Sequence, residues 1–103
     1  MKVIIYHMTN EPKRISCIET ELKILRKYAD MQGWEIVNEY VDMTSTISKK
    51  KELDKVISYE GEYDIVLVKY AYYVARNTDS FFKIRRQLQN KGVRIYGINE
   101  GWC

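Results

Sequence analysis

Histidine occurs once in this chain, at His7, and cysteine twice, at Cys17 and Cys103. Neither cysteine has a partner at metal or redox spacing, so a zinc site is not expected. Such sparse cysteine use suits a reducing, cytoplasmic setting. Long apolar runs are missing as well. Val3-Ile4-Ile5-Tyr6 is four residues long and then turns polar, which reads as a strand and not as a signal peptide or membrane span. The stretch after it, His7-Met8-Thr9-Asn10, has no glycine, which removes the usual phosphate-cradling loop of a nucleotide site. No cofactor and no membrane partner are expected. The single proline, Pro12, sits in a polar loop from Thr9 to Arg14.

What is present is an ordinary globular composition. The chain has 103 residues, 46% apolar and 30% charged, with a net charge of +3. That suffices for one small core, hence a single domain over 1–103. The mild positive charge permits contact with nucleic acid without arguing for it.

The apolar pattern alternates strand and helix. Val3 to Tyr6 reads as a strand buried on both faces. Ser16 reads as the cap of a helix, with Glu19 reaching back to complete a capping box. Ile15, Ile18, Leu22, Leu25 and Ala29 form its apolar stripe, Lys23, Arg26, Lys27 and Asp30 face away, and Gly33 stops it. Glu35 to Val41 is a second strand and Asp42 to Ser48 a loop. A short helix carries Leu53, Val56 and Ile57, and Asp64 to Val68 is a third strand. A helix from about Thr78 to Asn90 turns Phe81, Ile84, Leu88, and also Phe82 and the Arg85 stem, to the core. Val93 to Ile98 is the last strand. The order β-α-β-α-β-α-β predicts a three-layer α/β/α fold on a mostly parallel sheet, with functional groups gathered at the carboxyl ends of the strands.

Several separated stretches resemble the N-terminal catalytic domain of the serine recombinases, the resolvases and invertases. Ile18-Glu19-Thr20-Glu21-Leu22 through Gly33-Trp34-Glu35 is similar to that family's first helix and its exit. Tyr40-Val41-Asp42 resembles its second strand, and Ser45-Thr46 stands where the family has a Ser-Gly loop. Tyr63 to Val68 and Lys91-Gly92-Val93-Arg94-Ile95 resemble later elements. The resemblance spans roughly Lys2 to Glu100 and implies a resolvase-type fold. No dimerisation helix or helix-turn-helix part is expected in these 103 residues.

The resemblance also implies where an active site would stand, and there this sequence departs from it. The family's first strand runs into Tyr-x-Arg-x-Ser; here Tyr6-His7-Met8-Thr9-Asn10 puts Met8 at the arginine and Asn10 at the nucleophile. The family's Asp-Arg-Leu-x-Arg becomes Tyr72-Tyr73-Val74-Ala75-Arg76, and Lys50 replaces a further arginine. Covalent cleavage of DNA needs a hydroxyl nucleophile and guanidinium groups gripping the phosphate in pairs. An amide cannot form the phosphoserine link, and Lys is not equivalent to Arg at a bidentate site.

The resemblance leaves Asp42 and Ser45 as retained supporting positions and Arg76 and Lys50 as candidate phosphate contacts, set against a solvated or helix-capping Arg76 and a solvated Lys49-Lys50-Lys51 run. Tyr70, Tyr72 and Tyr73 form an aromatic group at the former catalytic position, read as an interface or a plug in preference to a base-stacking surface. His7 reads as a loop or strand-end residue without a catalytic part. The basic run Lys83, Arg85, Arg86 and Lys91 reads as a solvated helix face. The expectation is a catalytically degenerate domain in DNA recombination, making weak DNA contact and pairing with itself or with a recombinase-type protein. The alternative is an active recombinase, or its catalytic fragment, with displaced catalytic residues. A small-ligand domain ranks third.

Overall fold

A computed structural model describes residues 1–9, 15–43, 51–75 and 77–103, and the side chains at 15–17 and 43 lie outside that description. The elements are β1 (Lys2–Thr9), α1 (Ile15–Met31), β2 (Glu35–Met43), α2 (Lys51–Ile57), β3 (Ile65–Val68), a 3-10 turn (Ala71–Tyr73), α3 (Thr78–Gln89), β4 (Arg94–Gly97) and β5 (Gly101–Trp102). The sheet order is β2-β1-β3-β4-β5. The first four strands are parallel, and β5 returns antiparallel beside β4. The chain therefore steps from β1 to one side, then jumps back over β1 to continue on the other. With right-handed crossovers that reversal sends α1 to one face of the sheet and α2 and α3 to the opposite face.

Each residue of β1 from Val3 to Met8 is buried. Because side chains alternate along a strand, the run divides between two cores. Val3 and Ile5 pack beneath α1 with Ile18, Leu22, Leu25, Ala29, Ile65 and Leu67. Ile4, Tyr6 and Met8 pack on the other face with Leu53, Val56, Val66, Val74, Leu88 and Ile95. The stripe on α1 thus does what its spacing predicts. Gly33, at φ 75°, ends that helix. The amides of Trp34 and Gly33 bond back to the carbonyls of Ala29 and Asp30, the paired bonds of a glycine-terminated helix.

Several boundaries move. β1 continues past Tyr6 to Thr9, because β2 extends to Met43 and supplies pairing partners as far as Thr9. α1 begins at Ile15, which puts Ser16 inside the first turn and not at the cap. Glu19 pairs with Arg26 at 2.8 Å, and Arg26 also grips both oxygens of Glu39 on β2; the capping box expected at Ser16 lies outside the described residues. Phe82 is 52% exposed and contributes little to the core, since α3 turns Leu88, Ile84 and Phe81 inward. Asn77 caps α3, its side chain accepting from the amides of Asp79 and Ser80. Lys91 is exposed, as a solvated residue should be, and its ammonium also donates to the carbonyls of Ile57 and Tyr59 at 2.5 and 2.9 Å.

β5 is an element that periodicity did not suggest, being two residues long. Over β4 and β5 the α1 face is filled by rings: Tyr28, Trp34, Tyr96 and Trp102 pack together, with the Arg94 guanidinium 4.0 Å from the Trp102 centroid. Among the described residues no helix is long and apolar enough to cross a membrane.

Leu25 is fully buried under the sheet, whereas Phe82 is half exposed. Leu25→Ala should cost about 2–5 kcal/mol in urea unfolding, and Phe82→Ala no more than about 0.5 kcal/mol.

Candidate functional site

The chain reverses its direction across the sheet between β1 and β3, and in sheets of this kind groups that act on a ligand collect where those strands end. Here β1 ends at Thr9 and β3 at Val68. Four of the positions singled out in the sequence, Asn10, Ser45, Lys50 and Arg76, lie outside the described residues. Met8, Asp42, Tyr70, Tyr72 and Tyr73 lie within them.

Met8 is 8% exposed and points into the core shared with α2 and α3. Tyr6 points the same way two residues earlier and is fully buried. Its hydroxyl donates to Asp42 Oδ2 at 2.7 Å. Asp42 is itself buried near the end of β2, and its two oxygens accept from the amides of Glu52 and Leu53 at 2.9 and 3.1 Å. One carboxylate therefore joins the centre of the sheet to the first turn of α2. Burial, and then the hydrogen bond to Asp42, raise the Tyr6 pKa far above the ordinary phenol range. The Tyr6 hydroxyl stays protonated and acts as a fixed donor.

The three tyrosines come together after β3. Tyr70 and Tyr72 stack with centroids 5.3 Å apart and planes 22° apart, and Tyr73 stands edge-on to both, at 5.6 and 4.9 Å. They form a ledge with Tyr72 on its outer side. The turn between β4 and β5 fastens it from below. Glu100 Oε2 accepts from the Ala71 amide at 2.6 Å, and the Asn99 side-chain amide donates to the Lys69 carbonyl at 2.9 Å. Beyond the turn, Val74 is buried in the core. Burial first, then Tyr72, pushes the Tyr73 phenol up to about 12, so it is neutral at pH 7. The ledge thus offers three rings and the neutral hydroxyl of Tyr73.

On the α1 side of the same strand ends lies a polar group that the sequence reading did not identify. His7 is inside β1, in register with Val41, and 4% exposed. Its ring meets Tyr73 edge-to-face at 5.4 Å, and its Nδ1 has no hydrogen-bond partner. Glu21 of α1 bonds the Lys69 ammonium at 2.9 Å through Oε1, while its Oε2 is unpartnered. The Lys69 ammonium also stands 5.5 Å from the Tyr70 centroid. A signal for this group existed. Glu21 falls three residues after Ile18 and four before Leu25, on the apolar stripe, and His7 continues the face of Val3 and Ile5.

The model of the resolvase N-terminal domain family matches residues 9–102. No curated protein matches the chain. Among solved structures, the C-terminal catalytic domain of ISC1926 TnpA, an IS607-like serine recombinase, is 24% identical with a TM-score of 0.85, over 95% of this chain and 70% of that one. A resolvase family site-specific recombinase from Streptococcus pneumoniae is 21% identical with a TM-score of 0.78, over 98% and 74%. The N-terminal catalytic domain of TP901-1 integrase is 21% identical with a TM-score of 0.75, over 98% and 79%. At these identities the structures establish a shared fold.

Asp42→Ala removes two amide acceptors and strands a buried hydroxyl, so it should cost about 2–4 kcal/mol in urea unfolding. Tyr6→Phe should cost about 1–2 kcal/mol, because the carboxylate keeps its amides. A second outcome concerns pH. Burial lowers the His7 pKa below its ordinary 6.5, outweighing the opposing pull of Glu21. The unfolded chain therefore takes up the proton first. Stability contributed by neutral His7 is complete above pH 6.5 and is lost as pH falls through the folded value. The unfolding midpoint should drop on acidification across that window, and less steeply in His7→Gln.

Proposed function

This chain belongs to the resolvase N-terminal domain family, and on that premise we propose that it serves DNA recombination without cutting DNA, as a module that pairs with a second copy of itself or with a recombinase-type protein. The observation that carries this reading is Met8. The resemblance puts the family's phosphate-binding arginine at this position, and the side chain here is a thioether packed in the apolar core. Such burial suits an apolar group and would be costly for an unpaired guanidinium. Asn10, at the nucleophile position, has no hydroxyl with which to form a phosphoserine link. Tyr72 and Tyr73 stand where the family's Asp and second Arg would be.

With that chemistry replaced, the tyrosine ledge is the natural contact surface. Stacked, partly exposed tyrosines supply wide contact area at small entropic cost, and aromatic residues dominate the energetics of protein interfaces. Lys50 and Arg76 add a weak contact with the DNA backbone, which carries no sequence preference.

Two measurements test the proposal. Incubation with supercoiled DNA followed by a denaturing gel should give neither nicks nor a covalent adduct, and an adduct that vanishes in Asn10→Ala overturns the reading. Sedimentation of the protein, alone and mixed with a resolvase-type domain, should show association that Tyr72→Ala weakens roughly tenfold or more. Association indifferent to that change would remove the ledge from the proposal.

A further inference from the structure

The polar group beneath the ledge is not used by the function just described. His7 comes from β1, Glu21 from α1 and Lys69 from just after β3; the parallel register that sets Ile5 beside Leu67 brings Lys69 next to His7, and Lys69 is bonded to Glu21 on the α1 side of the sheet. Two features are unusual. An imidazole nitrogen that is almost wholly buried has no partner, and the carboxylate acting on it keeps one oxygen free. Buried polar atoms of this kind are rare, because each forfeits its bonds to water. A pair of them, with opposite hydrogen-bonding needs once a proton arrives, is an arrangement with two states.

We infer that His7, Glu21 and Lys69 form a proton-operated latch under the tyrosine ledge, closed while His7 is neutral and released when it is protonated. In the closed state Glu21 holds the Lys69 ammonium at 2.9 Å, and that ammonium lies beside the Tyr70 ring. Protonation places a second cation in the same pocket. The imidazolium repels Lys69 and attracts Glu21, whose Oε2 has no partner in the closed state. Both effects loosen the ion pair from the same side. Lys69 directly precedes Tyr70, and His7 touches Tyr73, so the change reaches the ledge at two points.

Among the described residues, the titratable groups facing His7 are Glu21 from α1, Lys69 after β3 and Tyr73 from the 3-10 turn. β2 presents only Val41 beside it. The phenol of Tyr73 is protonated throughout the relevant range, so Glu21 and Lys69 are the charges that set the balance. The consequence for pairing rests on the ledge being the interface, whereas the latch itself is a property of the isolated chain.

His7 is the only histidine among 103 residues, so a single imidazole NMR signal reports the trigger. The full chain, carrying labelled histidine and tyrosine rings, is titrated from pH 8 to the onset of acid unfolding. The His7 midpoint should lie below 6.5, and the ring signals of Tyr70, Tyr72 and Tyr73 should move with that same midpoint. Glu21→Gln should lower the midpoint and Lys69→Met should raise it. In His7→Gln the three tyrosines should be silent across the range.

A His7 signal that titrates while the tyrosines stay still overturns the latch. So does a His7 that remains neutral until the chain unfolds, or a midpoint unmoved by either charge variant. Should a variant fail to fold, the titration of the unaltered chain still decides. Since none of these readings requires a partner, a ledge that responds to pH but does not associate would refute the interface and keep the latch.

Discussion

The burial of β1 on both faces is the constraint from which the rest of this molecule follows. Six consecutive residues, Val3 to Met8, are removed from water. A strand in that position has to lie inside a sheet with cover on both sides, and its backbone groups need a parallel neighbour at each edge. β2 and β3 supply the neighbours, and α1 on one face with α2 and α3 on the other supply the cover. Alternation along the strand then divides its last residues between two environments. Tyr6 and Met8 go to one core and His7 to the other.

That division explains why the two polar groups at the strand ends differ in character. On the α2 side, Tyr6 and Asp42 satisfy each other, and Asp42 also accepts from two amides of α2. The arrangement is complete, with a donor for each oxygen, and it is structural. On the α1 side, His7 and Glu21 each keep an unpartnered atom while Lys69 is shared between a carboxylate and an aromatic ring. An incomplete network close to a partly exposed aromatic surface is where a response to conditions can reside. A complete one has no second state of comparable energy.

How much of this was legible in the sequence depended on the kind of signal. The stripe Ile18, Leu22, Leu25 and Ala29 and the run Ile65 to Val68 were read correctly, because each repeats a period that only one type of element has. The start of α1 moved to Ile15, because a Ser followed three residues later by Glu looks the same whether it begins a helix or lies within one. Glu19 found Arg26, and so β2's Glu39, by a contact no local pattern contains. β5 is two residues long, too short to carry any period. The aromatic group at Tyr70, Tyr72 and Tyr73 was visible as composition, but its shape came from outside it, from Asn99 and Glu100 roughly thirty residues further on.

The sequence alone determined the layered α/β fold and the family, since both are written in periodicity and in ordered local stretches. It also determined which side chains occupy the positions where the resemblance puts the family's catalytic groups, because identity at a position does not depend on geometry. Only the tertiary structure decided that Met8 is packed away in the core, that His7 is a buried residue of β1, and that Glu21 and Lys69, forty-eight residues apart, meet beside it. The physical reason is that hydrogen-bond satisfaction and desolvation depend on what surrounds an atom. Those surroundings are assembled from segments distant in the chain, after each local preference has already been expressed.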